Sequence, residues 1–97
     1  MLKPRQSSCQ NLYQALLSMR TPEEISRFCR DLLSKYEIDE LSRRWQVACM
    51  LAKKIPYTEI ERETGLSSAT IAKISHWLKR GLGGYKLAIK RLKDKNY

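Results

Sequence analysis

Long apolar runs are missing from this sequence. No stretch of its 97 residues approaches the roughly 18 apolar residues that a membrane-spanning helix needs. The N-terminal segment also lacks the apolar core of a signal peptide. We therefore expect no membrane span and a cytoplasmic location.

Cysteine and histidine are scarce. Cys9, Cys29 and Cys49 form no CxxC pair, and His76 is the single histidine, so the spacing does not fit a zinc site. Cys29 and Cys49 fall on apolar stripes, which is typical of small buried side chains that stay reduced. We predict no disulfide and no metal.

The groups needed for catalysis are missing as well. No serine or cysteine is placed with the lone histidine, and no pair of carboxylates faces inward on the expected helices. The glycines at 81, 83 and 84 follow no strand, so a nucleotide-binding loop is not expected. We predict that the protein is not an enzyme and has no cofactor.

No segment alternates polar and apolar residues with a period of two, so strands are not expected. The length fits one domain, over residues 1–97. We predict an all-α fold of about six helices.

Positive charge is abundant. Lys and Arg number 19 against 10 Asp and Glu, a net charge of +9. Such a chain is attracted to polyanions, because its cations displace condensed counterions from phosphates.

The clearest helix boundary lies at residues 21–24. Thr21 is a cap, Pro22 occupies the first helical position and Glu24 completes a capping box. An earlier helix is expected from residue 9 to about 20. The helix after the boundary should present one apolar face, formed by Ile25, Phe28, Cys29, Leu32, Leu33 and Tyr36.

A third helix is expected from Asp39, as its cap, to about residue 54, where Pro56 breaks it. Its apolar surface extends beyond one stripe. In so short a chain, a second subunit is the expected cover. The stripe contains Leu41, Trp45, Ala48 and Ala52, with Trp45 in the core, and Val47, Met50 and Leu51 broaden it.

Residues 57–80 have the pattern of a helix-turn-helix. Gly65 suits a left-handed turn, and Ser67 or Ser68 then caps the second helix. Along that helix, Ile71, Ile74 and Leu78 form the inward stripe, and Trp77 beside Ile74 is expected to pack. The opposite face is small at its start and cationic at its end, which suits the major groove of DNA, and it contains Ala69, Ala72, Lys73, His76 and Arg80.

The pattern also fits a surface helical hairpin without DNA-binding function. Lys73, His76 and Arg80 are then solvated side chains.

A last helix, at about residues 85–95, contacts phosphates or only aids solubility. Its outer face contains Lys86, Lys90, Arg91, Lys93 and Lys95.

The order of these segments resembles the Trp repressor superfamily. The motif GLSSATIAKIS and the stretch TPEEISRFCRDLLSKYEIDELSRRWQVACMLAKKIPYTEIERETG resemble in particular its YerC/YecD group, over about residues 12–92. The resemblance implies an interlocked homodimer that binds a pseudo-palindromic operator in double-stranded DNA and regulates transcription, usually by repression. It implies base contacts from Ser68, Ala69 and Ala72 and phosphate contacts from Thr70 and Lys79. With the outward residues and the cap, the expected DNA-binding set is Ser67, Ser68, Ala69, Thr70, Ala72, Lys73, His76, Lys79 and Arg80.

The sequence departs from Trp repressor at the tryptophan pocket. Arg43 matches the first of two pocket arginines, Lys73 replaces the second, and Ile74 replaces the glycine that follows it. The Ile74 side chain would fill the space of the indole. We therefore expect no tryptophan binding, and whether another effector acts is open.

Two other functions fit the pattern. Related helix-turn-helix units recognise DNA ends in transposition systems. Alternatively, the basic surface meets an acidic protein partner.

Overall fold

The computed structural model describes residues 8–94, and this part of the chain is all-α. The predictions of about six helices and no strands are confirmed for this part. Lys95 of the predicted last helix lies outside the described residues. The helices are α1 Ser8–Leu17, α2 Pro22–Leu32, α3 Lys35–Ala52, α4 Tyr57–Thr64, α5 Ser68–Arg80 and α6 Gly84–Asp94.

The chain divides into two compact units, residues 1–38 and 39–97. The assignment of one domain over 1–97 stays a prediction. In the first unit, neither α1 nor α2 has a buried residue. Many of its large apolar side chains are exposed, among them Leu12, Tyr13, Leu17, Ile25 and Leu32.

The predicted boundary at α2 is confirmed. Thr21 Oγ1 accepts a hydrogen bond from the Glu24 amide at 3.1 Å, and Pro22 opens the helix. The return bond of the capping box differs in one detail. Glu24 Oε1 accepts from the amide of Arg20 at 2.8 Å, one residue before the cap.

The predicted junction of the second and third helices is wrong. α2 ends at Leu32, Leu33 is extended with φ −124° and ψ 153°, and Tyr36 lies in the first turn of the next helix. α3 begins four residues before Asp39, which is not its cap. The actual cap is the Ser34/Glu37 pair, a Ser-x-x-Glu signature that is visible in the sequence.

Ser34 and Glu37 form a reciprocal capping box. The Ser34 amide donates to Glu37 Oε1 at 2.9 Å, and the Glu37 amide donates to Ser34 Oγ at 3.2 Å. The hydrogen bond from the Ser34 backbone, and then that from its side chain, hold the pKa of Glu37 below its ordinary value. Since the pKa is lowered on folding, this contribution to stability is present above the unfolded pKa and is lost as pH falls through the folded one.

The end of α3 is set by backbone geometry before Pro56 is reached. The Ile55 amide donates to the Met50 carbonyl at 3.1 Å and the Lys54 amide to the Leu51 carbonyl at 2.9 Å. This is a Schellman motif, and it places Lys54 in the left-handed region with φ 64°. Pro56 instead precedes α4 as its N-cap residue. The predicted end near residue 54 is therefore close to the observed one, and the breaking role of Pro56 stays a prediction.

Replacing Lys54 by glycine is expected to stabilise the protein by about 0.5–1 kcal/mol. Glycine removes the Cβ strain of the left-handed conformation, roughly 1–2 kcal/mol, while its greater unfolded-state entropy offsets part of that gain. Urea denaturation at fixed protein concentration measures the change. Lys53→Gly, one residue earlier and without a positive φ, should destabilise. An equal loss of stability in the two variants would contradict the left-handed conformation of Lys54.

The core of the second unit joins three helices. Its fully buried side chains include Val47 of α3, Ile60 of α4, and Ile71 and Ile74 of α5. Around them pack half-buried apolar residues, which include Tyr85 of α6. The core therefore fixes α4 and α5 on the C-terminal half of α3.

The predicted inner stripe of α3 is wrong in part. Leu41 and Ala52 are exposed, whereas Val47, Ala48 and Met50 are the buried residues. The expected core position of Trp45 is not confirmed either. Trp45 is half-buried, and its ring stacks on that of Tyr85 with centroids 6.4 Å apart and planes at 21°.

The cysteines and acidic residues form no cluster that would hold a metal, among residues 8–94. Cys29 and Cys49 are half-buried and Cys9 is exposed, all as free thiols. Burial raises the pKa of the Cys49 thiol, and the nearby Lys53 charge opposes that shift. No helix in the described range is long and apolar enough to cross a bilayer.

Candidate nucleic-acid interface

The turn between α4 and α5 is held in one geometry by local hydrogen bonds. Gly65 has φ 74° and ψ 4°, and its amide donates to the Glu61 carbonyl at 2.9 Å, which ends α4. A residue with a Cβ would be strained in this left-handed conformation. The turn therefore depends on the glycine that the sequence analysis singled out.

Thr64 strengthens the same turn, and the sequence analysis missed it. Its hydroxyl donates to the Ile60 carbonyl at 2.7 Å and accepts from the Leu66 amide at 3.2 Å. One side chain thereby connects the last turn of α4 with the loop. A threonine directly before the turn glycine was the available signal.

Of the two serines considered as caps, Ser67 is the one that caps α5. The Ser67 Oγ accepts a hydrogen bond from the Thr70 amide at 3.2 Å. The Ser67 hydroxyl also donates to Thr70 Oγ1 at 3.2 Å. A hydroxyl at this position satisfies one of the free amides in the first helical turn. Ser68 is left exposed at the first position of the helix.

The inward side of α5 follows the predicted stripe. Ile71 and Ile74 are buried in the core, and Leu78 is half-buried. Ser75 is also buried, with 6% of its surface exposed, and the sequence analysis did not include it. A small polar side chain gives no apolar signal, although on the helical wheel Ser75 lies about 40° from Ile71, at the edge of the inward arc.

The opposite side of α5 is open to solvent and small at its N-terminal end. We call it the outer face of α5, and its members are all exposed: Ala69, Ala72, Lys73, His76 and Arg80. Ser67 at the cap, Ser68 and Lys79 are exposed beside it. Thr70 is half-buried, and its hydroxyl is already bonded to Ser67.

The charge on α4 and α5 is divided between the two helices. α4 contains three acidic residues, Glu59, Glu61 and Glu63, and one basic residue, Arg62. The charged residues of α5 are all basic. Lys79 and Arg80 lie in the last turn of α5, where they also oppose the negative end of the helix dipole. An anionic partner is therefore attracted to α5 and not to α4.

A shallow cleft lies between α3 and α5, with a volume of about 280 Å³. Arg44 lines it from α3 and is 3.7 Å from Glu40, one turn earlier. Arg43, which the resemblance to Trp repressor placed at the pocket, is exposed and is not among the lining residues. The lining residues are Glu40, Arg44, Leu66, Thr70, Lys73, Ile74 and Trp77.

Ile74 and Lys73 both lie at this cleft. The Ile74 side chain is 1% exposed, so it is packed into the core and occupies volume there that a glycine would leave empty. Trp77 lines the edge and is 50% exposed, so it is only partly packed. The expectation that Trp77 packs beside Ile74 is therefore met only in part, because half of the Trp77 side chain stays exposed.

The chain matches the family model for the Trp repressor protein over residues 7–93. It is 38% identical over 92 residues to the uncharacterized protein YerC of Bacillus subtilis (strain 168). That alignment covers 95% of this chain and 88% of YerC. The resemblance to the Trp repressor superfamily is therefore confirmed.

Two solved structures are similar along nearly the whole chain. A candidate Trp repressor from Staphylococcus aureus superimposes with a TM-score of 0.85 at 35% identity, and covers 92% of this chain and 89% of its own. A TrpR-like protein from Eubacterium eligens ATCC 27750 gives 0.87 at 35% identity, with 92% of both chains covered. The Trp repressor-like arrangement of helices is thereby confirmed.

Proposed function

The chain belongs to the Trp repressor family, and we propose that it is a sequence-specific DNA-binding regulator of transcription, acting as a repressor. The outer face of α5 is the observation that supports this most. It combines exposed alanines, which let a helix approach base edges closely, with exposed cations at its C-terminal end. The rigid turn before α5 holds this face out from the core. The proposed place of action is the cytoplasm, with no catalytic role.

Within this proposal, the contacts divide by position. Ser68, Ala69 and Ala72 at the start of α5 meet base edges, and Lys73 and His76 follow one turn later on the same face. Ser67, Thr70, Lys79 and Arg80 are assigned to phosphates. Since Ser67 and Thr70 hydroxyls bond each other in the cap, they approach a phosphate as a pair.

The active form is proposed to be a homodimer. α1 and α2 have no buried residue, although they contain a series of large apolar side chains. Leaving so much apolar surface in water is unfavourable by about 25 cal/mol per Å². A second copy of the chain, interlocked through these helices, provides the cover.

A dimer of this kind should select a pseudo-palindromic operator. Two helix-turn-helix units related by a two-fold axis place their α5 helices one DNA turn apart, about 34 Å. Selection from a random duplex pool, at a stated salt concentration, should enrich two inverted half-sites at that spacing. Enrichment of a single non-palindromic site would contradict the dimeric arrangement.

L-Tryptophan is expected not to bind. Ile74 is packed where the resemblance places a glycine, and Lys73 replaces an arginine, whose planar fork can hold a carboxylate in a bidentate pair. Isothermal titration of the protein with L-tryptophan should give only heats of dilution. Operator affinity measured with and without L-tryptophan should be equal, and a saturable heat or a tighter complex would contradict the proposal.

A further inference from the structure

The positive charge of the chain is concentrated in one segment that extends beyond the helix-turn-helix. Residues 65–93 contain no Asp or Glu, and their seven cations account for most of the net charge of +9. Four of these cations lie on α6, after the loop that follows α5. The proposed contacts of α5 leave these four without a role.

Three of the α6 cations share one side of the helix. Lys86, Lys90 and Lys93 are spaced at i, i+4 and i+7, and all three are exposed. We call them the lysine stripe. The inward side of α6 is formed by Tyr85, Ala88, Ile89 and Leu92, each half-buried. The stripe therefore faces solvent while the other side of α6 packs.

The lysine stripe begins at the end of α5. Lys86 Nζ donates to the Lys79 carbonyl at 3.2 Å, which links the first turn of α6 to the last turn of α5. Only three residues separate the two helices, and Gly81 among them is tightly constrained, because a Cβ there would collide with the Trp77 carbonyl. The stripe is thus a continuation of the cationic end of α5, next to Lys79 and Arg80.

Such a stripe is unfavourable for the isolated helix. Like charges three and four residues apart repel each other, and within the described part of α6 only Asp94 at the last position is acidic. In α3, by comparison, Arg44 has Glu40 one turn earlier. A polyanion bound along α6 would neutralise the lysines and remove the repulsion between them. A protein partner with scattered negative charges would neutralise them less completely.

Resting on the proposed function, we propose that the lysine stripe binds the phosphate backbone of the DNA that flanks the operator, outside the bases contacted by α5. From Lys86 to Lys93 the stripe covers eight residues, and the seven steps between them rise about 10 Å along the helix at 1.5 Å per step. That length corresponds to roughly three phosphates of one strand, at 3.4 Å of DNA axis each, so each lysine has one phosphate within reach. These contacts carry no sequence preference and extend the footprint on both sides of the dimer.

The test uses the full-length protein with Lys86, Lys90 and Lys93 all replaced by Gln. Binding is measured by fluorescence anisotropy over a salt series, on the selected operator alone and on the same operator extended by ten base pairs at each end. Each phosphate contact contributes about 0.9 to the slope of log K against log salt. Losing six contacts in a dimer should therefore flatten the slope on the extended duplex by about five.

The extended duplex separates the stripe from α5. The wild-type protein should bind it more tightly than the short operator by at least tenfold at low salt, and the triple variant should lose this gain. The variant should keep its preference for the operator over a scrambled duplex of equal length, because phosphate contacts weaken all sequences alike. The matched control replaces three exposed cations outside α1, α2, α5 and α6, namely Lys35, Arg43 and Lys53, by Gln, and should retain the flank gain.

Three results would overturn the proposal. The first is an unchanged salt slope and flank gain in the triple variant. The second is an equal loss in the control variant, which would mean that only net charge acts. The third is a triple variant that keeps its DNA slope but loses binding to vesicles of anionic phospholipid, which would assign the stripe to a membrane surface. Failure of the wild-type protein to select any duplex would instead contradict the proposed function itself.

Discussion

Replacing Ile71 by alanine is expected to lower the free energy of unfolding by about 2–5 kcal/mol. The Ile71 side chain is 0% exposed and lies in the core formed by α3, α4 and α5. Truncation removes buried hydrocarbon and leaves a cavity that these close-packed neighbours fill only in part. Because the total free energy of unfolding of a domain is about 5–15 kcal/mol, this loss is a large part of its stability.

Urea denaturation at one protein concentration measures this loss, since the stability of a dimer depends on concentration. Ile71→Val, which removes one methyl group, should cost only about 0.5–1.5 kcal/mol. Leu82→Ala is the matched control, because Leu82 lies in the loop after α5 with its side chain fully exposed. If Leu82→Ala destabilised the protein as much as Ile71→Ala, the assignment of the core would be wrong.

Replacing Lys73 by glutamate is expected to weaken operator binding by about 1–3 kcal/mol for each helix-turn-helix, which is roughly 5- to 150-fold. Lys73 is exposed on the outer face of α5, one turn after Ala69. The change removes one contact to a base or phosphate and places a negative charge against the DNA. Since the side chain is outside the core, folding should be nearly unaffected.

Anisotropy on the selected operator, at one stated salt concentration, measures the effect of Lys73→Glu. Lys35→Glu is the matched control, with the same charge change at an exposed position in the first turn of α3. An acidic residue is favourable at a helix N-terminus, so this control should fold well. If Lys73→Glu bound the operator as tightly as the wild type, α5 would not be the DNA-contacting helix.

The two kinds of error in the sequence-based prediction have different origins. At the junction of α2 and α3, a continuous apolar pattern suggested one long face, but the Ser34/Glu37 capping box starts a new helix there. At the end of α3, the presence of Pro56 suggested the break. The predicted end near residue 54 is close to the observed one, but the left-handed turn at Lys54 was not foreseen, because lysine rarely adopts positive φ.

The inward and outward positions of α5 and its turn were predicted more closely than the helix ends, whereas their DNA contacts stay a prediction. The outward positions on α5 follow from the 3.6-residue period once Ile71 and Ile74 are placed inside, and Gly65 and Ser67 mark the turn by their chemistry. Thr64 and Ser75 were missed, because the hydropathy of threonine or serine does not indicate whether the residue lies in a turn, in the core or in solvent. Their roles depend on the neighbours that only the folded chain supplies.

The sequence by itself determined the all-α class, the family and the cationic outer face of α5, because each of these depends on residue type and spacing along one helix. The tertiary structure alone decided which face of α3 is buried, how Trp45 stacks on Tyr85, and that Lys86 joins α6 to the end of α5. Those contacts join residues distant in sequence or on separate helices. Helical period fixes directions around one axis, whereas the relative placement of two axes depends on the packing of both.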